Sequence, residues 1–467
     1  MDKISVVGLG KLGVCFAAAS ASRGFETIGV DVGEHIIDSI NNGRAHIFEP
    51  GLQELISKVG DMLTATREHS RAIKETDITF ILVATPSDTE GNFSNAYVES
   101  ALKSLAVALK ASRKEYHLFV ISSTVMPTSM EERLIPIIEE YSGRKLNVGF
   151  GVCYVPDFVA LGNVIKDFLN PDLVVIGESS ETAGDIVTDF QTKLCENSPH
   201  IARMSIISAE IAKVSLNAYI TTKISFANML GNICEKIPAA DVDSITRAIG
   251  ADKRISNYYF GAGLSYGGTC FPRDTKAFIR FARKFGYDAQ LVKTVEDVNA
   301  IQDQHLFDTV LGYVMSAGDK KVSVLGLAFK PKTTVITESP AIKLVEKLIE
   351  NDIDVVVYDS FAMSNAQERF GDGIRYASSV ADCISQSSVC VITTPAGEFK
   401  SIDGSCITNN PTTIIDCWRI LDPSVLGDSI NYVALGKKPA KQTVPLAISS
   451  FGVGQNMPWP VPVGSQK

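Results

Sequence analysis

One cysteine in this chain stands where the surrounding residues ask for chemistry. Gly267-Gly268-Thr269-Cys270-Phe271-Pro272-Arg273-Asp274 sets a thiol after a glycine pair and beside both a cation and a carboxylate. Glycines let backbone N–H groups come close to a bound group, and a neighbouring cation favours the thiolate, the form that attacks carbon. The other eight cysteines (Cys15, Cys153, Cys195, Cys234, Cys383, Cys390, Cys406 and Cys417) are scattered without a CxxC pair. They read as small buried hydrophobes, so neither a disulfide framework nor a metal site is expected.

A second constellation opens the chain. Gly8-Leu9-Gly10-Lys11-Leu12-Gly13 follows the apolar run 4–7 and leads into the alanine-rich stretch 14–22. Gly8 permits a tight turn, Gly10 lets backbone approach a pyrophosphate, and Gly13 lets a helix pack close on a strand. Asp31, at the end of the next apolar run, completes the pattern with a carboxylate for ribose hydroxyls. It would repel a 2′-phosphate, so NAD is expected over NADP. A weaker glycine signal, Gly326 in Val-Leu-Gly-Leu-Ala-Phe-Lys-Pro (324–331), lacks the full fingerprint. It reads equally as a structural turn or as a site for a different nucleotide, with Lys330 a point charge near a phosphate.

These residues need rigid elements to hold them. Apolar runs at 4–7, 27–30, 78–83, 118–122 and 173–176 alternate with helical patterns, the rhythm of a parallel sheet covered on both faces. Residues 205–236 carry no proline, and Ala209, Ala212, Leu216 and Ile220 recur at helical spacing, which predicts a long, mostly buried connecting helix. Runs at 322–326, 355–358, 389–393 and 413–415 then predict a second sheet. The fold class is therefore α/β, two Rossmann-like doubly wound domains joined by a long central helix. The expected division is a dinucleotide-binding domain (1–200), a central helical domain (201–300), a second nucleotide domain (318–440) and an irregular tail (441–467) rich in proline and glycine.

Composition narrows the function. The chain has 467 residues, more than one core usually serves, with 21% charged and 45% hydrophobic residues and a formal net charge of −9. That balance offers no basic surface for nucleic acid. The apolar run at the start is too short and glycine-rich for a signal or a spanning segment, so a cytoplasmic protein without membrane partners is expected.

Taken in order, VVGLGKLG (6–13), FEPGL (48–52), VATP (83–86), SSTVMP (122–127), AKVSLNAYITTKISFAN (212–228), GGTCFPRD (267–274), FKPKT (329–333) and ESPA (338–341) resemble the UDP-glucose dehydrogenase and GDP-mannose dehydrogenase family over nearly the whole chain. The resemblance implies a four-electron oxidation of a nucleotide sugar's primary alcohol to a carboxylate with two NAD, UDP-glucose being the leading substrate and GDP-mannose the alternative. It implies that Cys270 carries a thiohemiacetal and then a thioester, that Lys213 and Asn217 stabilise an oxyanion, and that Asp274 and Thr124 position water and the reacting groups. Thr85, Pro86, Ser123 and Thr124 would join the glycine turn around NAD. Asp157, Phe158, Lys213, Asn217, Tyr259, Gly263, Tyr266, Gly267, Phe329 and Lys330 would line the substrate. A homodimer or larger assembly is implied, with Arg254 reaching the neighbouring subunit's substrate. Lys223 reads equally as a site residue or as a solvated or dimer-face lysine.

The chain also departs from the family pattern. Asp157 stands for a glutamate assigned to thioester hydrolysis, Leu161 for a second glutamate, Ile36 for a basic residue after Asp31, and Thr337 for a cofactor-contacting arginine. Asp416-Cys417-Trp418-Arg419 replaces D-x-R-N with the arginine displaced by one. A weakly catalytic nucleotide-sugar-binding homologue is the alternative these changes raise.

Overall fold

The computed structural model describes residues 3–88, 91–407, 413–427 and 429–438; the expected tail lies outside them. Two sheets organise the chain. The first contains β1 (Lys3–Val7), β2 (Glu26–Val30), β3 (Leu63–Thr66), β4 (Ile78–Ile81), β5 (Leu118–Ile121), β6 (Gly151–Tyr154), β7 (Leu173–Glu178) and β8 (His200–Ser205), in the order β3-β2-β1-β4-β5-β6-β7-β8. The second contains β9 (Lys321–Leu325), β10 (Asp354–Tyr358), β11 (Arg375–Tyr376), β12 (Val389–Ile392), β13 (Thr413–Asp416) and β14 (Asn431–Ala434), in the order β11-β10-β9-β12-β13-β14.

In each sheet the order reverses beside the first strand, between β1 and β4 and between β9 and β12. A crevice opens at the carboxyl ends of the strands at such a reversal, and ligands bind there. The inner strands β4, β5 and β12 are buried at every position, so they lack alternation. The expectation of a purely parallel first sheet needs one correction. β6 and β7 pair antiparallel, at Cys153 with Glu178 and Tyr154 with Gly177.

The connector is the helix Ile206–Cys234, of 29 residues, opened by Ser205, whose hydroxyl accepts the Ser208 N–H. Its buried side includes Glu210, Lys213, Val214, Asn217, Ala218 and Thr221, three or four apart. As the sequence suggested, most of it is buried or half-buried, but an apolar stripe of Tyr219, Phe226, Met229 and Ile233 is exposed. The helices Phe271–Lys284 and Gln290–Ala317 pack against it, and the latter continues to Pro340–Glu350 of the second sheet unit. Polar ties fasten the units further. Asn228 accepts the Gly263 N–H and donates to the Leu264 carbonyl, and Glu235 accepts the Gly436 N–H at 2.7 Å.

Candidate active site

At the first reversal, Gly8 adopts φ +91° and donates its N–H to Val30 at 2.8 Å. A Cβ on Gly8 would lie 2.8 Å from the Leu82 carbonyl oxygen, and one on Gly13 would lie 1.8 Å from that of Gly8. Neither position admits a side chain. Gly10, by contrast, faces open space at the start of the helix Lys11–Ser22, leaving its backbone free to meet an anion. One Asp31 oxygen accepts the Leu9 N–H at 2.7 Å and the other the Gly33 N–H at 2.9 Å. Two of about four carboxylate acceptor positions remain for ribose hydroxyls. Gly8, Gly10, Asp31, His69 and Tyr97 line a cavity of about 310 Å³. These residues fit the adenosine and pyrophosphate of a dinucleotide.

The remaining cofactor candidates are distributed around this turn. Leu9 is buried with its side chain against Gly29, so only its backbone faces the cleft; Lys11 is exposed and Leu12 half-buried. Thr85 and Pro86 follow β4. The Ser123 hydroxyl donates to the Val83 carbonyl at 2.7 Å, joining the ends of β4 and β5, and half-buried Thr124 comes next. His69 and Tyr97 were not anticipated, because neither belongs to the glycine pattern.

Cys270 is the exposed cysteine, while seven others are buried and Cys406 is intermediate. It occupies the N-cap of Phe271–Lys284, where unpaired N–H groups favour negative charge, and its Sγ lies 3.6 Å from the Thr269 hydroxyl. Behind it, Asn217 donates to one oxygen of fully buried Asp274 at 2.6 Å, and Arg273 donates to the other at 3.0 Å. Arg273 also lies over the Phe93 ring at 4.6 Å. The neighbouring arginine is therefore committed to Asp274. Nearby on the second sheet unit, burial lowers the pKa of Lys330, opposed by Asp167, Glu49 and, least, Cys270.

On the central helix, Lys213 donates to the Asp157 backbone carbonyl at 2.5 Å and sits 4.8 Å from the centre of the Phe158 ring. The Asp157 carboxyl is pushed up to about 7 by burial, with Lys213 opposing the shift. Glu210, one turn earlier and unremarked in the sequence, is also pushed up to about 7 by burial, against N–H donation from Met130 and Thr128. It anchors the turn after β5 that carries Thr124.

The glycine pair before Cys270 answers to crowding. A Cβ on Gly267 would lie 2.0 Å from the Glu338 oxygen, and Gly268, at φ +81°, has the Phe329 ring 2.6 Å from where its Cβ would be. Tyr259 and Tyr266 set their rings edge-on to Phe271 at 6.0 and 6.4 Å. Gly263 lies against the Trp418 indole, which leaves no room for a Cβ. Thus residues from both sheet units and the central helices gather around Cys270. Arg254 stays apart, 87% exposed and forked on Asp252 of its own chain.

Two readings of the sequence change here. Lys223, half-buried, donates to the carbonyls of Ile255, Ser256 and Tyr258, so it holds the 255–258 loop and is not freely solvated. Arg419, at φ +56°, has its side chain 7% exposed and forked on Asp243 at 2.8 and 2.9 Å, with further bonds to the Ala262 and Leu435 carbonyls. The displaced arginine is a strut between domains.

The second glycine turn repeats the plan of the first. Gly326 adopts φ +98° and donates to Tyr358 at 2.8 Å, and Leu327 donates to Asp359 at 2.7 Å, as Leu9 does to Asp31. Asp359 differs in taking three more N–H groups, from Ala328, Phe361 and Ala362. Beside it lies a cleft of about 450 Å³, lined by Lys330, Lys332, Phe361 and, from the first sheet unit, Phe48.

Family models for the UDP-glucose/GDP-mannose dehydrogenases match residues 2–194 (NAD binding domain), 207–301 (central domain) and 323–423 (UDP binding domain). The chain belongs to the UDP-glucose/GDP-mannose dehydrogenase family. Its cofactor is NAD. It is 37% identical over 422 residues to the UDP-glucose 6-dehydrogenase AglM of Haloferax volcanii, covering 90% of this chain and 97% of that one. It is 36% identical to the GDP-mannose 6-dehydrogenase of Pseudomonas syringae pv. tomato, covering 77% and 81%. Among solved structures, a UDP-glucose dehydrogenase from Pyrobaculum islandicum superposes with a TM-score of 0.84 at 31% identity, covering 94% of this chain and 98% of that one. Among the described residues, no helix of this dehydrogenase family member is long and apolar enough to cross a membrane, and no His, Cys, Asp and Glu cluster could hold a metal ion.

Proposed function

We propose that this protein oxidises UDP-glucose at C6 to the uronate, consuming two NAD and one water and releasing two NADH and three protons. The observation that carries the reading is the exposed Cys270 thiol at a helix N-terminus, one turn before Asp274 and its partner Asn217. NAD, when bound, takes a hydride from the substrate carbon at each oxidation. The thiolate of Cys270 adds to the resulting aldehyde as a thiohemiacetal, and the second oxidation leaves a thioester. Lys213 and Asn217 face the reacting oxygen and stabilise charge that develops there. Water then displaces the thiolate, with Asp157, whose carboxyl titrates near 7, accepting a proton from it. Thr124 and Asp274 position the reacting groups.

The same reading divides the chain at 1–200, 201–300 and 318–440 into NAD-binding, central and nucleotide-sugar-binding domains. Nine unpaired thiols fit a reducing compartment, the cytoplasm. Exposed Tyr219, Phe226, Met229 and Ile233 on the central helix form the core of a homodimer interface, from which Arg254 reaches the partner's substrate. Light scattering should return at least a dimer; a monomer at working concentration would remove the role of Arg254. GDP-mannose is the second reading, on the strength of relatives of nearly equal identity. NADH formation with a panel of nucleotide sugars tests the function, and no turnover with any of them would refute it.

A further inference from the structure

We propose that Glu49, in the FEPGL segment to which the mechanism above gives no task, is a positioning residue for thioester hydrolysis: it holds the loop that carries Asp157, a role that rests on the function above. Its carboxylate bonds to a segment 113 positions away in the chain. One oxygen accepts the Gly162 N–H at 3.1 Å and the other the Val164 N–H at 2.9 Å. These amides lie where the loop after β6 ends and the helix Val164–Leu169 begins. Asn163, at the N-cap, makes no side-chain bond to that helix, so Glu49 takes the place of a capping side chain from another part of the fold.

The loop is tied along its length. Lys213 donates to the Asp157 carbonyl at 2.5 Å at one end, Asp167 accepts the Ala160 N–H at 2.9 Å in the middle, and Asn163 donates to the Ala160 carbonyl at 2.9 Å, closing the turn before the helix. Gly162 takes φ +87°, and a Cβ on it would stand 3.4 Å from the Lys332 carbonyl oxygen, so the loop here runs against the second sheet unit. Glycine loses more backbone freedom on ordering than any other residue, and Glu49 binds the amide of that glycine. Glu49 is itself fixed. Its own carbonyl accepts the Leu52 N–H at 3.1 Å, and Leu52 and Ile56, on the helix Leu52–Val59, are buried in the core of the first sheet unit. Rigidity therefore passes from that core through Glu49 to the loop. Hydrolysis is the step that needs it. The water oxygen bonds to the acyl carbon, the carbon–sulfur bond breaks with its electron pair on Cys270 Sγ, one water proton passes to Asp157, and the carboxyl formed releases the other. Both hydride transfers precede this step and make no use of Asp157.

Single-turnover experiments, with enzyme in excess over the nucleotide sugar that wild type oxidises and NAD saturating, separate the steps in wild type, Glu49→Gln and Asp167→Ala. NADH is followed by absorbance, uronate by chemical quench, and the acyl adduct on Cys270 by intact-protein mass spectrometry. Glutamine keeps the size of Glu49 but offers one acceptor oxygen and sets an NH₂ group against the remaining N–H. Asp167→Ala frees the Ala160 N–H alone. In both variants two NADH per sugar should form at the wild-type rate. Hydrolysis should slow about 10-fold in Glu49→Gln and by less in Asp167→Ala, short of the roughly 100-fold that a full 1 Å misplacement costs, and the acylated fraction of Cys270 should rise to match. If both variants release uronate as wild type does with no added adduct, the positioning role is wrong and the dehydrogenase reading stands. A parallel loss of NADH and uronate without adduct also overturns it, because Glu49 would then support the site as a whole. If Glu49→Gln does not fold, Asp167→Ala decides alone: adduct with NADH formation intact supports the role, and its absence refutes it. If wild type oxidises no nucleotide sugar, the role and the functional reading fall together.

Discussion

Replacing Asp157 by asparagine should make the protein more stable at alkaline pH and less active, and the structure sets the size of the first effect. The Asp157 carboxyl is pushed from 3.8 up to about 7, chiefly by burial and against the pull of Lys213. Because its folded value lies above its unfolded one, the folded state holds the proton more tightly. The protonated form's stability is present in full below about pH 4, declines as pH rises, and is lost above about pH 7. At about 1.4 kcal/mol per pH unit the full loss approaches about 4 kcal/mol, an upper figure for a side chain that water partly reaches. Asparagine keeps the shape and carries no charge, so it avoids the loss. The gain of Asp157→Asn over wild type in urea denaturation should therefore be largest near pH 8.5 and smaller by about 2 kcal/mol at pH 5.5. Uronate formation should fall in the same variant, and the acid limb of the wild-type rate near pH 7 should disappear with it. Equal gains at both pH values, or no gain at pH 8.5, would refute the assignment of a half-buried, high-titrating carboxyl at this position.

Other consequences follow from the same geometry. Cys270→Ser should abolish uronate formation, and Cys270→Ala should leave a slow first oxidation to the aldehyde; wild-type carboxylate production by either, measured by chromatography, would exclude the covalent route. Intact-protein mass spectrometry during turnover should show a sugar-nucleotide acyl adduct on Cys270 that increases in Asp157→Asn, since water attack loses its base. NAD should support much faster turnover than NADP at matched concentration, because the free acceptor positions of Asp31 suit a 2′-hydroxyl and repel a phosphate; equal rates would count against that role. Asp243→Ala should lower stability by about 3 kcal/mol, because it strands the buried Arg419 guanidinium without its partner, and a change near zero in denaturation would show that the strut does little.

What the sequence discloses about this fold depends on how local the cause is. β1, β2, β4, β5 and β12 can be read because burial on both faces demands an unbroken apolar run. β8, with the pattern His-Ile-Ala-Arg-Met-Ser and no fully buried residue, and the two-residue β11 cannot, because as edge strands each is held by pairing on one side. The long central helix and its surplus of apolar surface are legible from its spacing, yet which residues stay uncovered is not, since the same periodicity serves a face covered by its own chain or by another. The site divides in the same way. Cys270, Asp274, Lys213 and Asn217 announce themselves by residue type and spacing, and the structure brings Asn217 onto Asp274 across 57 positions. The commitment of Arg273 to Asp274, the three carbonyls around Lys223 and the burial of Glu210 are decided by packing between distant segments, and no local pattern encodes them.

The two glycine turns show how one local plan yields two kinds of site. Gly8 and Gly326 share a left-handed φ, the same bond back to the strand before the acid, and the same first donor to the acid that follows. What separates them is how many N–H groups reach the carboxylate: Asp31 receives two and Asp359 four. A carboxylate with acceptor positions to spare can bind a ribose, whereas a saturated one can only stiffen the turn. The first turn is thus equipped for the dinucleotide by its own residues. The second must borrow, and its cleft is lined by Lys330 on its own loop and Phe48 from the other sheet unit. On the proposed mechanism, the Cys270 thiol then works where the two units meet, with NAD supplied from one side and the substrate's phosphates held from the other.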